Sequence, residues 1–343
     1  MLDRLSRFFV PVLASALIAA GCSAPRANAP TATPGASGST ATSAAPNFTN
    51  KTLNIVTGGT GGVYIVYGAG LADLLNKKLG TASSPQSTPA SVDNMKLIRD
   101  GKADLAFVLS DTAYDAVQGK GAFAAPETKA DAKALAVLYN NFTHVIVRDD
   151  SAIKTIADLK GKRVNTGAAG SGTETIANRT LEAYGLDPAK DIQRERTGVA
   201  DAAAQLKDNK IDALVWSGGL PTAAITDLTT TVKIRVLDQA DGIKKMAEKY
   251  GPFYFSTKIP KGTYGLAADA TVSGVANLLV VPSKFDNALA SAILKTMFDS
   301  STELGAIHAE AKNLKLETAV EGSPIDYHQG AIDFYKSVGG WKK

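Results

Sequence analysis

The sequence contains few of the residues that carry covalent, redox or metal chemistry. Among its 343 residues there is one cysteine, so no disulfide can form within the chain. The three histidines, His144, His308 and His328, do not have the spacing of metal ligands, and no Gly-x-Ser-x-Gly motif offers a nucleophile. We therefore expect a protein that is not an enzyme and that holds neither a metal nor a cofactor.

Charge of one sign and long hydrophobic runs are also scarce. The formal net charge is +4, and no basic run or patch with interleaved aromatics stands out, so we expect no nucleic acid partner. The apolar run at 8–20 is shorter than the roughly 20 residues that a membrane-spanning helix needs, but it suits the core of an export signal.

The first 22 residues predict the compartment. Arg4 and Arg7 precede the apolar run, which ends in Ala19-Ala20-Gly21-Cys22. This ending resembles a bacterial lipoprotein processing site, with Ala19 in place of the usual leucine. We expect residues 1–21 to be a signal peptide and Cys22 to carry lipid, which would anchor an extracytoplasmic protein to a bacterial membrane. The alternative is an ordinary cleaved signal followed by a chance cysteine.

A segment of low complexity follows the cysteine. Residues 22–50 consist largely of Ala, Ser, Thr, Pro and Gly, and they cannot bury enough apolar surface to offset the entropy of ordering. We expect a disordered tether that spans roughly 25–30 Å.

Beyond residue 50, two parts of the chain follow the same pattern. A strand at 53–56 enters the turn at 57–62 and then a helix that Gly80 ends. A strand at 163–166 enters the turn at 167–173 and then a helix that Gly185 ends. Alternating strands and helices predict a mainly parallel sheet in each half, and ligands of such sheets bind beyond the carboxyl ends of the strands, where both turns lie.

Extended stretches on either side of the second half predict how the halves connect. Residues 135–139 and 144–147 precede it and residues 275–281 follow it, and we expect them to pair as two crossover strands. The predicted fold class is therefore α/β, with two lobes joined by two crossover strands and a ligand cleft between the lobes, which permits hinge closure. The predicted bounds are residues 51–143 and 273–338 for lobe 1 and residues 144–272 for lobe 2.

The candidate ligand-binding residues are mainly glycines and hydroxyls at the strand ends. Glycine leaves backbone N–H groups open to a ligand, and the N-terminus of the following helix favours an anion. Neutral hydroxyls beside them complete a carboxylate cradle that needs no cation. The candidates are Thr57, Gly59, Thr60, Gly61, Gly62, Tyr64, Ser87, Thr88, Ser110, Asp111, Gly170, Ser171, Gly172, Thr173, Trp216 and Ser217. Ordinary helix caps and tight turns are the alternative interpretation, while no P-loop or dinucleotide motif fits.

Some residues near the cleft have two interpretations. Tyr64 and Trp216 either contact the ligand or pack in the core. Ser91 is predicted to be a helix N-cap. Asp111 and Glu174 either pair with a ligand amine or stabilise the N-termini of their helices.

The chain resembles the TAXI family of solute receptors, which are associated with TRAP transporters. The resemblance covers roughly residues 53–339. The segments that carry it are TGGTGGVY at 57–64, SVDN at 91–94, DLAF at 104–107 with Ser110-Asp111, ADLKGKRV at 157–164, GSGT at 170–173 and HQGAIDFY at 328–335.

This resemblance implies a type II periplasmic-binding fold and delivery of the ligand to sodium-coupled TRAP permease subunits. It also implies a small carboxylate ligand, such as glutamate or glutamine or a 2-oxoglutarate-like dicarboxylate. The chain departs from the family's common residues at Pro89-Ala90, at Leu109 and at Asn140-Asn141, all near the proposed cleft. We expect a monomer.

Other functions remain open on the sequence. The nearest alternative is the substrate-binding lipoprotein of an ABC importer, which would have the same fold and a different membrane partner. An enzyme on a two-lobed scaffold and a surface antigen or sensor without a transport role are the others. Turnover of a bound compound would reveal the enzyme, and the absence of a ligand-dependent uptake defect would reveal the antigen or sensor.

Overall fold

The structure is a computed structural model that describes residues 47–341. The predicted signal peptide, Cys22 and most of the predicted tether lie outside these residues. None of the helices between residues 47 and 341 is long and apolar enough to cross a membrane.

Strands and helices alternate along the chain. The first part contains β1 (Thr52–Val56), α1 (Val63–Leu79), β2 (Ala82–Gln86), α2 (Ser91–Arg99), β3 (Leu105–Leu109), α3 (Ser110–Gln118) and β4 (Ala132–Arg148). The second contains β5 (Arg163–Asn165), α4 (Gly172–Ala183), β6 (Gln193–Glu195), α5 (Val199–Lys207), β7 (Ala213–Gly218), α6 (Ala223–Thr229), β8 (Ile234–Val236), α7 (Ala240–Tyr250) and β9 (Phe255–Ile259). The last contains β10 (Ala270–Pro282), α8 (Asn287–Asp299), α9 (Ser301–Ile307) and α10 (Gln329–Ser337).

The strands form one sheet that passes through both lobes. Its order is β2-β1-β3-β10-β4-β7-β5-β6, with β8 added to β4 and β9 added to β10. The outer pairs β1–β2, β1–β3, β5–β6 and β5–β7 are parallel, whereas the central strands β4 and β10 are antiparallel to their neighbours. The alternating pattern of the two halves thus produces two parallel regions of one sheet, with an antiparallel region between them.

The two long central strands are the predicted crossovers. β10 pairs with β4 from Pro282 opposite Ala132 to Gly274 opposite Phe142. One part of this ribbon pairs with β3 and the other with β7, so it belongs to both lobes. The predicted fold class and the pairing of the crossovers are confirmed. The predicted lobe boundaries fall inside β4 and β10, and the assignment of residues to lobes stays a prediction.

The helix after the first glycine turn shows how the local sequence sets an element. Residues of α1 that face the core recur at helical spacing, as in Val63, Tyr67, Leu71 and Leu75, and all are buried. Val66 lies about 100° around the helix axis from Tyr67 and is exposed. Gly80 ends the helix with φ +70°, and its N–H donates to the Asn76 carbonyl.

The sequence did not predict the edge strand β2. Pro85 and Gln86 pair in β2 with Ile55 and Val56. Proline is tolerated there because an edge strand leaves one side of the ladder unpaired. With β2 in place, the loop at 87–90 begins at the same edge of the sheet as the turn after β1.

Candidate functional site

A small cavity lies where the loops of the two lobes meet. It has a volume of about 60 Å³. Lobe 1 contributes the turn after β1 and the loop before α2. Lobe 2 contributes the turns after β5 and β6 and the end of β7, and β4 supplies Tyr139 and Asn141. This is the place that the sequence pattern predicted for a ligand, beyond the carboxyl ends of parallel strands.

Five helices begin at the cavity wall. The N-cap residues of α1, α2, α3, α4 and α5 are Gly62, Ala90, Leu109, Ser171 and Gly198, and all five line the cavity. The first N–H groups of a helix have no acceptor within the helix, and they carry a partial positive charge. The cavity is therefore surrounded by donors that suit an anion.

Two hydroxyl residues at the start of α4 line the cavity and accept backbone N–H groups. The Oγ of Ser171 accepts the Glu174 N–H at 3.0 Å, and the Oγ1 of Thr173 accepts the Ser217 N–H at 3.3 Å. Because these bonds occupy oxygen lone pairs, each hydroxyl keeps its own proton for donation. Ser171 is thus the N-cap of α4 and retains a hydroxyl proton that its cap bond does not use.

Two further hydroxyls on lobe 2 have the same arrangement. The Oγ1 of Thr197 accepts the Nδ2–H of Asn165 at 2.7 Å, and the Oγ of Ser217 accepts the Nδ2–H of Asn141 at 3.3 Å. Both hydroxyls line the cavity. Four hydroxyls of lobe 2 are therefore set as donors, which a ligand with acceptor oxygens would use.

Polar side chains of the crossover strands form the floor of the cavity. The Tyr64 hydroxyl donates to the Oδ1 of Asn277 on β10, whose Nδ2 donates to the Oδ1 of Asn141 on β4 at 2.7 Å. Tyr139, two residues before Asn141 on the same face of β4, is 3% exposed. Within residues 47–341 its hydroxyl meets no hydrogen-bond partner, and burial raises its pKa well above the ordinary value for tyrosine.

The acidic candidates near the cleft are held by arginines. Asp111 lies 3.2 Å from Arg179 and accepts the Tyr254 hydroxyl at 2.5 Å. Glu174 pairs with Arg194 at 2.8 Å and with Arg196 at 2.5 Å. Neither carboxylate lines the cavity, and among the described residues that do line it none is Asp, Glu, Lys, Arg or His.

The lobes touch each other across the cleft. The Asp93 N–H donates to the Gly170 carbonyl at 3.1 Å. A Cβ added to Gly172 would lie 2.6 Å from the Cδ1 of Leu109 and 2.8 Å from the Oγ of Ser91. Close approach of the lobes therefore requires a residue without a side chain at the start of α4.

Nine of the predicted site residues line the cavity. They are Gly59, Thr60, Gly62, Tyr64, Ser171, Gly172, Thr173, Trp216 and Ser217. Trp216 also donates from Nε1 to the Thr222 hydroxyl at 2.9 Å, which fixes the plane of its ring. The structure brings these residues together, and their contact with a ligand stays a prediction.

Seven predicted residues do not line the cavity. They are Thr57, Gly61, Ser87, Thr88, Ser110, Asp111 and Gly170. Thr57, Ser87 and Thr88 donate to backbone carbonyls of lobe 1 instead, at 2.8–3.1 Å. Their side chains therefore stabilise the backbone of lobe 1 next to the glycine turn and do not face the cavity.

The remaining four contact other parts of the protein. Gly61 and Gly170 lie at the contact between lobes, where their carbonyls accept N–H groups of Ala224 and Asp93. Ser110 and Asp111 are buried because α3 begins directly at the end of β3 and turns their side chains away from the cavity.

Sequence reasoning missed several lining residues. Pro89, Ala90, Leu109 and Asn141 are among them, and the departures from the TAXI pattern at these positions were the signal that could have found them. Ser91, predicted as an N-cap, lines the cavity as the first residue of α2, and its Oγ accepts the Leu109 N–H at 3.1 Å. Tyr139 and Thr197 gave no signal, because only the crossover topology and the turn after β6 bring them to the cleft.

The fold and the cleft together define a periplasmic-binding-protein architecture. A model of the NMT1-like family matches residues 55–339, and the chain belongs to that family. A solved structure described as a periplasmic transporter is similar, with a TM-score of 0.50 and 12% identity over 84% of this chain and 92% of that one.

The names of two other similar structures state what those proteins bind or transport. The periplasmic aliphatic sulphonate binding protein SsuA from Escherichia coli has a TM-score of 0.47 and 18% identity, over 85% of this chain and 83% of that one. The binding protein component of an ABC phosphonate transporter from Pseudomonas aeruginosa has a TM-score of 0.49 and 13% identity, over 76% of this chain and 78% of that one. At these identities the likeness concerns the fold.

Proposed function

We propose that this chain is an extracytoplasmic solute-binding receptor, which captures a small carboxylate between its lobes and delivers it to a membrane transporter. The observation that carries the proposal is the set of donors at the cavity. Five helix N-termini and the hydroxyls of Ser171, Thr173, Thr197 and Ser217 surround it. Such a set satisfies acceptor oxygens and the charge of an anion without a cationic side chain.

The described lining of the cavity has no histidine, acidic or basic side chain that could catalyse a reaction. Among the described residues, no cluster of His, Cys, Asp or Glu could hold a metal ion. General acid–base or nucleophilic catalysis needs such groups within hydrogen-bond reach of the substrate. Binding with release fits these residues better than turnover.

The membrane partner has two candidates. The sequence motifs resemble TAXI receptors of TRAP transporters, whereas the family match names no transporter class. The names of the similar structures favour the alternative, an ABC importer, since one of these proteins is a component of an ABC transporter. A likeness of this kind concerns the fold, so experiments must distinguish the two transporter classes.

Native mass spectrometry of the protein purified from its own host tests the receptor function. We expect a non-covalent small acid that is released unchanged on denaturation. Protein that carries no solute and does not bind the acids of its host's medium would contradict the proposal, as would chemical conversion of the acid.

Uptake measurements separate the two transporters. Uptake of the identified acid should depend on this chain in either case. Collapse of the sodium gradient should abolish uptake through a TRAP permease and leave an ABC importer active, while depletion of ATP at a maintained sodium gradient should do the reverse.

A further inference from the structure

The charge of the cavity wall limits which carboxylates can bind. Building on the receptor function proposed above, we infer that the cleft accepts a small monoanion and rejects both amino acids and dicarboxylates, with Tyr139 as an additional ligand contact. Residues of the wall are neutral throughout the described part of the chain. One negative charge can be met by the helix N-termini and hydroxyl donors, but a second charge of either sign has no partner.

An ammonium group would have no counter-ion in the cavity. Two carboxylates next to the cleft in sequence, Asp111 and Glu174, already pair with Arg179, Arg194 and Arg196, and a third, Asp93, lies outside the lining. Burying an unpaired ammonium costs several kcal/mol, because its hydration is lost without replacement. The N–H groups of the helix N-termini in the wall also repel an ammonium rather than accept its protons.

A second carboxylate would be similarly unpaired. Apart from the hydroxyl, amide and helix N-terminal groups named above, the wall is apolar, with Pro89, Leu109, Val199 and Val215 among its residues. Lys and Arg are absent from the described lining, so nothing offsets the desolvation of a second anion. The cavity volume of about 60 Å³ further favours a short ligand.

Tyr139 supplies an independent sign of a ligand at this place. Its side chain lines the cavity, is 3% exposed and keeps a hydroxyl that meets no partner among the described residues. A buried hydroxyl without a partner destabilises the protein, and a hydrogen bond to a ligand oxygen would remove that cost. Glu310, whose charge lies close enough to raise the pKa of Tyr139, is outside the lining and accepts the Leu220 N–H at 2.5 Å.

A matched set of probes tests the inference. Calorimetry would compare propionate with alanine, which adds an ammonium, with succinate, which adds a carboxylate, and with propionamide, which removes the charge. We expect propionate to bind at least about 10²-fold more tightly than each of the others, as a site with unpaired groups discriminates that strongly. Tighter binding of alanine, succinate or propionamide would overturn the inference, as would a failure of propionate to bind.

The tyrosine is tested with a control of the same chemistry. Tyr139→Phe should weaken propionate binding about tenfold or more, the value of one hydrogen bond to a charged ligand. Tyr67→Phe removes another buried hydroxyl that meets no partner among the described residues. This hydroxyl does not line the cavity, so its loss should leave the affinity within about twofold. Equal effects of both changes would overturn the role of Tyr139. If the protein from its host carries an amino acid or a dicarboxylate, this inference fails while the receptor function stands; if it binds no solute, the receptor function itself fails.

Discussion

The carboxylate of Asp111 lies 3.2 Å from the guanidinium of Arg179, and the pair joins α3 of one lobe to α4 of the other. Asp115, one helical turn further along α3, contacts the same guanidinium, and the Tyr254 hydroxyl donates to Asp111. All four side chains are buried. Two acidic residues with the spacing of one helical turn thus hold one arginine between the lobes.

Loss of this arginine should destabilise the protein strongly. Arg179→Met leaves two buried carboxylates without a counter-ion, and we expect the free energy of unfolding in urea to fall by about 3–5 kcal/mol. Lys295→Met is the control, because it removes an exposed pair with Asp299 and should cost less than about 1 kcal/mol. Equal losses for the two variants would show that the buried cluster does not stabilise the fold.

The contact at the start of α4 should control closure of the lobes. Gly172→Ala places a methyl group against Leu109 and Ser91 of the opposite lobe, at a position without backbone strain. Overpacking of this kind costs about 1–3 kcal/mol, so we expect about tenfold weaker ligand binding or more. Small-angle scattering should also show less contraction of the variant on binding.

A glycine without neighbours provides the comparison for closure. In Gly198→Ala the added Cβ meets nothing within 4 Å, and contraction should match that of the unmodified protein. If Gly172→Ala contracts as fully as Gly198→Ala and binds as tightly as the unmodified protein, the cleft does not close at this contact.

His144 should make stability depend on pH. This histidine on β4 lies behind Trp216, with Nδ1 3.2 Å from the Trp216 carbonyl, and burial lowers its pKa from 6.5 to about 4. The unfolded chain therefore binds more protons between these values, and stability falls as pH decreases from about 6.5 to about 4. The loss attributable to this group should reach roughly 3 kcal/mol.

The contribution of His144 is isolated by comparison with a variant that cannot titrate there. Free energies of unfolding of His144→Gln and of the unmodified protein should converge as the pH falls. Asp115 and Glu310, whose pKa values burial raises, act in the opposite direction but are present in both proteins. Parallel pH profiles for the two proteins would contradict the assignment.

Cys22 should determine whether the protein is held at a membrane. It lies outside the described residues, so the expectation rests on the sequence that leads into the only cysteine. Cys22→Ala should release the mature chain into the soluble fraction or block its processing, because no acyl chain can then be attached. A membrane-bound variant of mature size would show that the anchor is elsewhere.

The sequence predicted the elements of this fold better than the wall of its cleft. The turns at 57–62 and 167–173 were recognisable because glycine and hydroxyl residues stand between a buried strand and a helix. We predicted Asp111 in the cleft because the sequence shows that it follows a strand. The sequence does not show that Asp111 forms an ion pair with Arg179. Tyr139 was missed because its position depends on the pairing of β4 and β10, which are far apart in the chain.

The hydroxyls of Ser171 and Thr173 carry the central claim, and calorimetry of Ser171→Ala/Thr173→Ala with the acid that co-purifies from the host tests it most directly. Loss of both donors should weaken binding by about 10²-fold or more, since each hydrogen bond to a charged ligand is worth about 1.5–3 kcal/mol. The lost N-cap should cost only about 1 kcal/mol of stability, which thermal melting would verify. Thr175→Ala, which removes a hydroxyl of the same helix outside the cavity lining, should bind normally. An affinity of the double variant within about threefold of the unmodified protein, with the fold intact, would contradict the account.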